Sequence, residues 1–91
     1  MHGEYKVPGG KLVVVDLAVA DGKLAQVQVS GDFFLEPPEA LAAIDAAIEG
    51  LPAGSSPARI EAAIRQALPQ GVEMFGFSPE AVAVAVQRAL A

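Results

Sequence analysis

Ala25-Gln26-Val27-Gln28-Val29-Ser30 alternates apolar and polar residues, and the chain then runs straight into Gly31-Asp32-Phe33-Phe34-Leu35-Glu36-Pro37. A period of two predicts a strand with one buried face. The reading extends that strand from Lys23 to Phe34. Two adjacent Phe residues close it, and successive side chains of a strand point to opposite faces. One ring of the pair can then face the core while the other faces outward, where an exposed ring marks a face that another molecule covers; Phe34 is the candidate for the outward ring, and the alternative packs both rings in the core. Gly31 fits a bulge or the close approach of another backbone. Gly31, Asp32, Phe33 and Phe34 are the candidate partner-contact residues.

Upstream, Lys11 to Ala20 reads as the partner strand, with Val13, Val15, Leu17 and Val19 apolar and Asp16 among the intervening positions. A two-residue Asp21-Gly22 loop sets Leu17 against Gln26 and splits the apolar residues between two faces. A three-residue Ala20-Asp21-Gly22 loop pairs Val13 with Val29, Val15 with Val27 and Leu17 with Ala25. The second option is preferred, with Gly22 in a left-handed bulge position. Residues 1–10 read as an arm, flexible over 1–9, with room for a short strand at Tyr5 and Val7 before Pro8-Gly9-Gly10 breaks the pairing.

Three helices follow. The first begins at Pro37-Pro38, where a missing N–H is tolerated, carries Leu41, Ile44 and Ile48 inward, and stops at Gly50. The second has Ser56 as N-cap, Pro57 at the first position, the stripe Ile60, Ile64 and Leu68, and Pro69 as its stop. The third has Ser78-Pro79 at its start, a staple of Phe77 on Val82, and an inner face of Val82, Val86 and Leu90. Val72 to Phe75 reads as a short edge strand. A hairpin followed by helices gives an α+β fold: an antiparallel hairpin sheet of two to three strands, covered on one face by three helices. The similar turns Leu51-Pro52-Ala53-Gly54 and Leu68-Pro69-Gln70-Gly71 are helix stops, not the two visible copies of a repeat.

The chain has 91 residues, enough for one domain with a modest core. With 53% apolar and 19% charged residues it reads as globular. Six basic residues, scattered among 11 acidic ones, give a net charge of −5 and argue against nucleic acid. No apolar run reaches the roughly 18–20 residues needed to cross a bilayer. Together with a polar, acidic beginning at Met1-His2-Gly3-Glu4, this gives a cytoplasmic expectation and no membrane partner. Without cysteine there is no disulfide, thiolate nucleophile or Cys-based metal site.

No catalytic set converges. His2 is the one histidine and stands at the chain end. Ser56 and Ser78 read as caps, not nucleophiles. Asp32, Glu36 and Glu39 form the densest acidic group. Glu36 and Glu39 suit a helix N-terminus, and Asp32 suits a turn, better than any of the three suits a cation. Pro8-Gly9-Gly10-Lys11 looks like a phosphate loop only in composition, because a strand follows it where a phosphate loop has a helix. Catalytic residues and metal ligands are both expected to be none.

Gly10-Lys11-Leu12-Val13, the alternating strand ending at Asp21-Gly22-Lys23, Val27-Gln28-Val29-Ser30-Gly31-Asp32-Phe33-Phe34, and an acidic–apolar helix closing at Glu49-Gly50 occur in this order. Together they resemble the C-terminal accessory domain of lipoate–protein ligases over about residues 6–68, with weaker agreement through the last helix. Ser30 to Phe34 is the most specific piece. In that family a large domain binds lipoate and ATP, makes lipoyl-adenylate and transfers lipoate to a lysine of an acceptor protein. The small domain is fused to it or is a separate chain. The resemblance implies the separate small subunit, since this chain is too short to hold the large domain and begins with Met1. It implies a non-catalytic role beside a catalytic large subunit and, through it, lipoyl acceptor proteins. ATP, magnesium and lipoate would serve the complex, with none bound by this chain. The family's adenylate-binding and catalytic lysine positions have no counterpart here. Family small domains also resemble iron–sulfur assembly scaffolds, whose chemistry needs the cysteine this chain lacks. The alternative is a stand-alone module that binds a protein or small ligand unrelated to lipoate.

Overall fold

The Asp21-Gly22 turn sets the geometry of the sheet. In the computed structural model, which describes residues 1–91, it is a two-residue turn with both residues at positive φ, 53° and 74°. That is the type whose twist matches a hairpin. It joins β2, Leu12–Ala20, to β3, Lys23–Gly31. The three-residue loop expected from the alternation is not formed. Val15 pairs with Val29, Val13 with Gly31, and Ala18 with Ala25.

A bulge reconciles the short turn with a single buried face. Asp16 pairs with Gln28 and Ala18 with Ala25, so Gln26 and Val27 together oppose Leu17. Gln26 is the extra residue and takes φ 52°. The slip reverses the alternation, so Leu24 points inward and Ala25 does not. Val13, Val15, Leu17, Leu24, Val27 and Val29 thus share one buried face.

The N-terminal segment, read as an arm with room for a short strand, contains β1, His2–Lys6, antiparallel to β2 with Gly3 opposite Val15. Gly3 lies so close to Ala85 and Ala89 of α3 that no side chain fits there. The sheet order is β1-β2-β3. The Pro8-Gly9-Gly10 segment is the turn between β1 and β2, with Gly10 N–H donating to Val7 O at 2.8 Å.

β3 ends at Gly31, short of the Phe pair. A separate strand, β4, covers Phe34–Glu36 and pairs antiparallel with β5, Glu73–Phe75, in a two-stranded ribbon. The first helix, α1, is Ala40–Ile48; Pro37 and Pro38 form the turn before it, and Ala40, Ile44 and Ile48 are its buried positions. α2 is Pro57–Ala67 and α3 is Pro79–Leu90. Their caps are as expected: Ser56 Oγ accepts from Arg59 N–H at 3.1 Å and Ser78 Oγ from Ala81 N–H at 3.2 Å. α3 packs on β1 and β2, α1 on β3, and α2 against both other helices. The core is one cluster of 19 buried residues spanning sheet and helices. No helix is long and apolar enough to cross a membrane.

The outer edge of β3 is closed by α1 and the segment after it. Leu24 N–H donates to Leu51 O at 2.8 Å, and Gly50 N–H donates to Leu24 O at 2.7 Å. Glu49 accepts from Gln26 and Val27 N–H, each at 3.1 Å, and Asp45 Oδ1 accepts from Val29 N–H at 2.9 Å. The carboxylates satisfy donors that an edge strand leaves free. Burial pushes the Asp45 carboxyl above its ordinary value; the Val29 N–H opposes this and the neighbouring Glu49 adds to it.

Candidate functional site

Gly31 makes the corner on which the candidate residues are arranged. Its φ is +153°, and the Leu12 carbonyl and the Phe33 ring occupy the space a side chain would need. The backbone it accommodates is therefore this chain's own, not a partner's. Asp32 then accepts from Leu12 N–H at 2.9 Å, which ties the corner to the start of β2.

After this tie the two Phe rings part. Phe33 is half-buried and stacks on Phe77, with centroids 3.8 Å apart and planes at 20°. Phe34 points to solvent and is 70% exposed. Between them and α1 lies an open, largely apolar cleft of about 280 Å³. Ser30, Gly31, Phe33, Phe34, Pro38 and Leu41 line it, over Leu35. Of the four candidate residues, the structure brings Gly31, Phe33 and Phe34 to this cleft. It uses the Asp32 carboxylate internally, on Leu12.

One contributor was not singled out from the sequence. Phe75 is directly opposite Phe34 in the ribbon and is 50% exposed, so the two rings share the outward face. The sequence carries a partial signal: apolar Val72 and Met74 alternate with Glu73, which sets Phe75 on the polar side, and in the fold Val72 and Met74 are half-buried while Phe75 is exposed. The pairing of β4 with β5 joins residues far apart in sequence, and local alternation does not reveal it.

Chemically, this surface offers apolar contact and shape; it gathers no acid, base and nucleophile. No three His, Asp or Glu side chains anywhere come close enough together to hold a metal ion. His2 lies apart from the cleft, opposite Asp16 in the middle of β2, with Nδ1 2.7 Å from Asp16 Oδ1 and Nε2 2.7 Å from Glu4 Oε2. Those two carboxylates hold the imidazole pKa above its ordinary value, the Glu4 bond contributing most.

A solved structure shares this architecture from end to end. The chain is similar to part of a lipoate protein ligase system. The match is to a chain from the structural analysis of an archaeal lipoylation system, a bi-partite lipoate protein ligase and its E2 lipoyl domain from Thermoplasma acidophilum. Sequence identity is 26% and the TM-score 0.67, covering 100% of this chain and 98% of that one. The α+β fold and the sequence resemblance to the ligase family agree with it. No protein-family model matches the sequence, and no curated protein matches it.

Proposed function

We propose that this chain is the non-catalytic accessory subunit of a two-chain lipoate–protein ligase. The observation that carries the proposal is the end-to-end similarity to a chain of almost equal length from a bi-partite ligase system. A likeness to one domain of a larger enzyme would leave part of the neighbour uncovered, and here almost none is.

In this reading the catalytic subunit binds lipoate, ATP and magnesium, forms lipoyl-adenylate and passes lipoate to a lysine of the acceptor protein. The present chain docks through the corner bearing Phe34 and Phe75, two exposed aromatic residues on a short, rigid ribbon. Aromatic anchors held by a fixed backbone lose little entropy on binding. Docking beside the active site orders catalytic loops and excludes water, which favours attack of the lipoate carboxylate on ATP over hydrolysis of the adenylate.

The test is reconstitution. The catalytic subunit encoded in the same genome is purified, and lipoate-dependent pyrophosphate release and acceptor lipoylation are measured with and without this chain. Activity that rises with added chain and saturates at one-to-one stoichiometry supports the proposal. An unchanged rate, with no complex on gel filtration, rules it out.

A further inference from the structure

The outward face of the β4–β5 ribbon carries more than its two rings. Residues two apart on a strand share a face, so Glu36 stands beside Phe34 and Glu73 beside Phe75. The register sets Glu36 directly opposite Glu73. Like charges in that relation destabilise a ribbon. Neither carboxylate has a cationic partner, since the ion pairs of the chain join His2 to Glu4 and Asp16, and Arg65 to Glu61. No Lys or Arg occurs between Ser30 and Leu41 or between Gln70 and Phe77. Lys11, whose stem lies near Gly76, forms no ion pair.

Two exposed rings and two opposed, unpaired carboxylates thus form one continuous face. We infer that this face is complementary to a partner surface that brings an Arg or Lys between Glu36 and Glu73 while apolar atoms cover Phe34 and Phe75. Arginine suits the site best, because its planar guanidinium donates to two carboxylates at once and stacks on aromatic rings. A second copy of this chain is a poor occupant. Face-to-face pairing adds two more carboxylates to the first two, between molecules that each carry a net charge of −5. The occupant is a different chain with a basic patch rimmed by apolar residues. The inference rests on the function proposed above, which makes that chain the catalytic subunit of the ligase.

The experiment titrates the purified catalytic subunit with wild-type chain, Glu73→Lys, and the double variant Glu36→Gln with Glu73→Gln, by calorimetry at low and high salt. Glu73→Lys turns the opposed carboxylates into an opposite-charge pair. The free chain is therefore expected to melt at the same or a higher temperature while its affinity falls about tenfold or more. The double Gln variant preserves size. It is expected to bind more weakly at low salt and to lose most of the salt dependence of the wild type. If both variants bind as the wild type does in a complex that still stimulates lipoate activation, this inference fails and the accessory-subunit reading stands. If the wild-type chain forms no complex, both fail.

Discussion

Phe34 and Phe75 face each other across the β4–β5 ribbon, although α1 and α2 lie between them in the chain. Both rings are at least half exposed, while the residues on the other side of the ribbon, Leu35 and Met74, turn towards the core. The ribbon therefore has one side that holds the fold together and one that does not. Exposed apolar surface held in a fixed geometry is what the proposed docking role requires. The adjacent rings Phe33 and Phe77, stacked beneath, keep the corner in place.

This division separates binding from stability. Phe34→Ala and Phe75→Ala are each expected to change folding free energy by less than about 1 kcal/mol, the scale of one cross-strand pair. Each is expected to weaken binding to the proposed catalytic partner by about 2 kcal/mol or more, as an anchor does. Phe33→Ala, which removes the stack on Phe77, is expected to destabilise by about 3 kcal/mol. Urea unfolding and calorimetric titration of the same three variants check this. Equal loss of stability in all three contradicts the assignment of sides.

The hairpin, the three helices and two of their caps were legible because each rests on a local rule. Ser56-Pro57 and Ser78-Pro79 are N-cap and first-position residues whatever surrounds them. The register was not legible. It depends on Gln26 taking a left-handed conformation, which a non-glycine residue does only where its surroundings hold it there. The Glu49 carboxylate does so by accepting both N–H groups at the bulge. That contact joins a strand to the end of a helix more than 20 residues later. The one local hint is that Leu24 and Val27, both buried, are spaced by three and not two. At the site, the opposite orientations of Phe33 and Phe34 followed from strand alternation even though the strand itself ends earlier, at Gly31. Phe75 needed the long-range pairing.

Gly31 is the residue on which the position of the corner depends. Gly31→Ala forces a side chain against the Leu12 carbonyl in a backbone conformation that L residues rarely adopt. The expected loss is about 2–3 kcal/mol, more than the ordinary effect of a glycine substitution. Because the strain is relieved by moving Asp32 to Phe34, the variant is also expected to bind the catalytic subunit poorly under conditions where it remains folded. Full stability of Gly31→Ala in urea would contradict the close approach of Leu12.

His2, on β1 opposite Asp16, gives a pH signature outside the cleft. Hydrogen bonds to Glu4 and Asp16 favour the protonated ring, so its folded pKa lies above 6.5. The contribution of the charged ring to stability is fully present below pH 6.5 and is lost as the pH rises through the raised folded value. Proton NMR titration of the single imidazole checks the direction. Glu4→Gln is expected to move the midpoint back towards 6.5 by more than Asp16→Asn does, since the Glu4 bond is the larger cause. A wild-type midpoint at or below 6.5 would show that neither pairing persists in solution.

Asp45 titrates with the same sign for a different reason. Burial is the main cause of its raised pKa, so the folded chain holds the proton more tightly than the unfolded chain does. Its contribution is fully present below pH 3.8 and is lost as the pH rises through the folded value, which leaves the ionised carboxylate a liability at neutral pH. The carboxylate is nevertheless kept occupied by Val29 N–H on the edge of β3. Asp45→Asn retains an oxygen acceptor for that N–H and removes the buried charge, so it is expected to be neutral or stabilising at pH 7. Asp45→Ala leaves the N–H without its acceptor and is expected to cost about 1–3 kcal/mol. Glu49→Ala, which releases the two donors at the bulge, is expected to cost at least as much and to raise amide hydrogen exchange at Gln26 and Val27. Chemical denaturation of the three variants at pH 7 separates the two roles of Asp45. If Asp45→Asn falls as far as Asp45→Ala, the charge itself supports β3, and burial is not the dominant influence on this carboxyl.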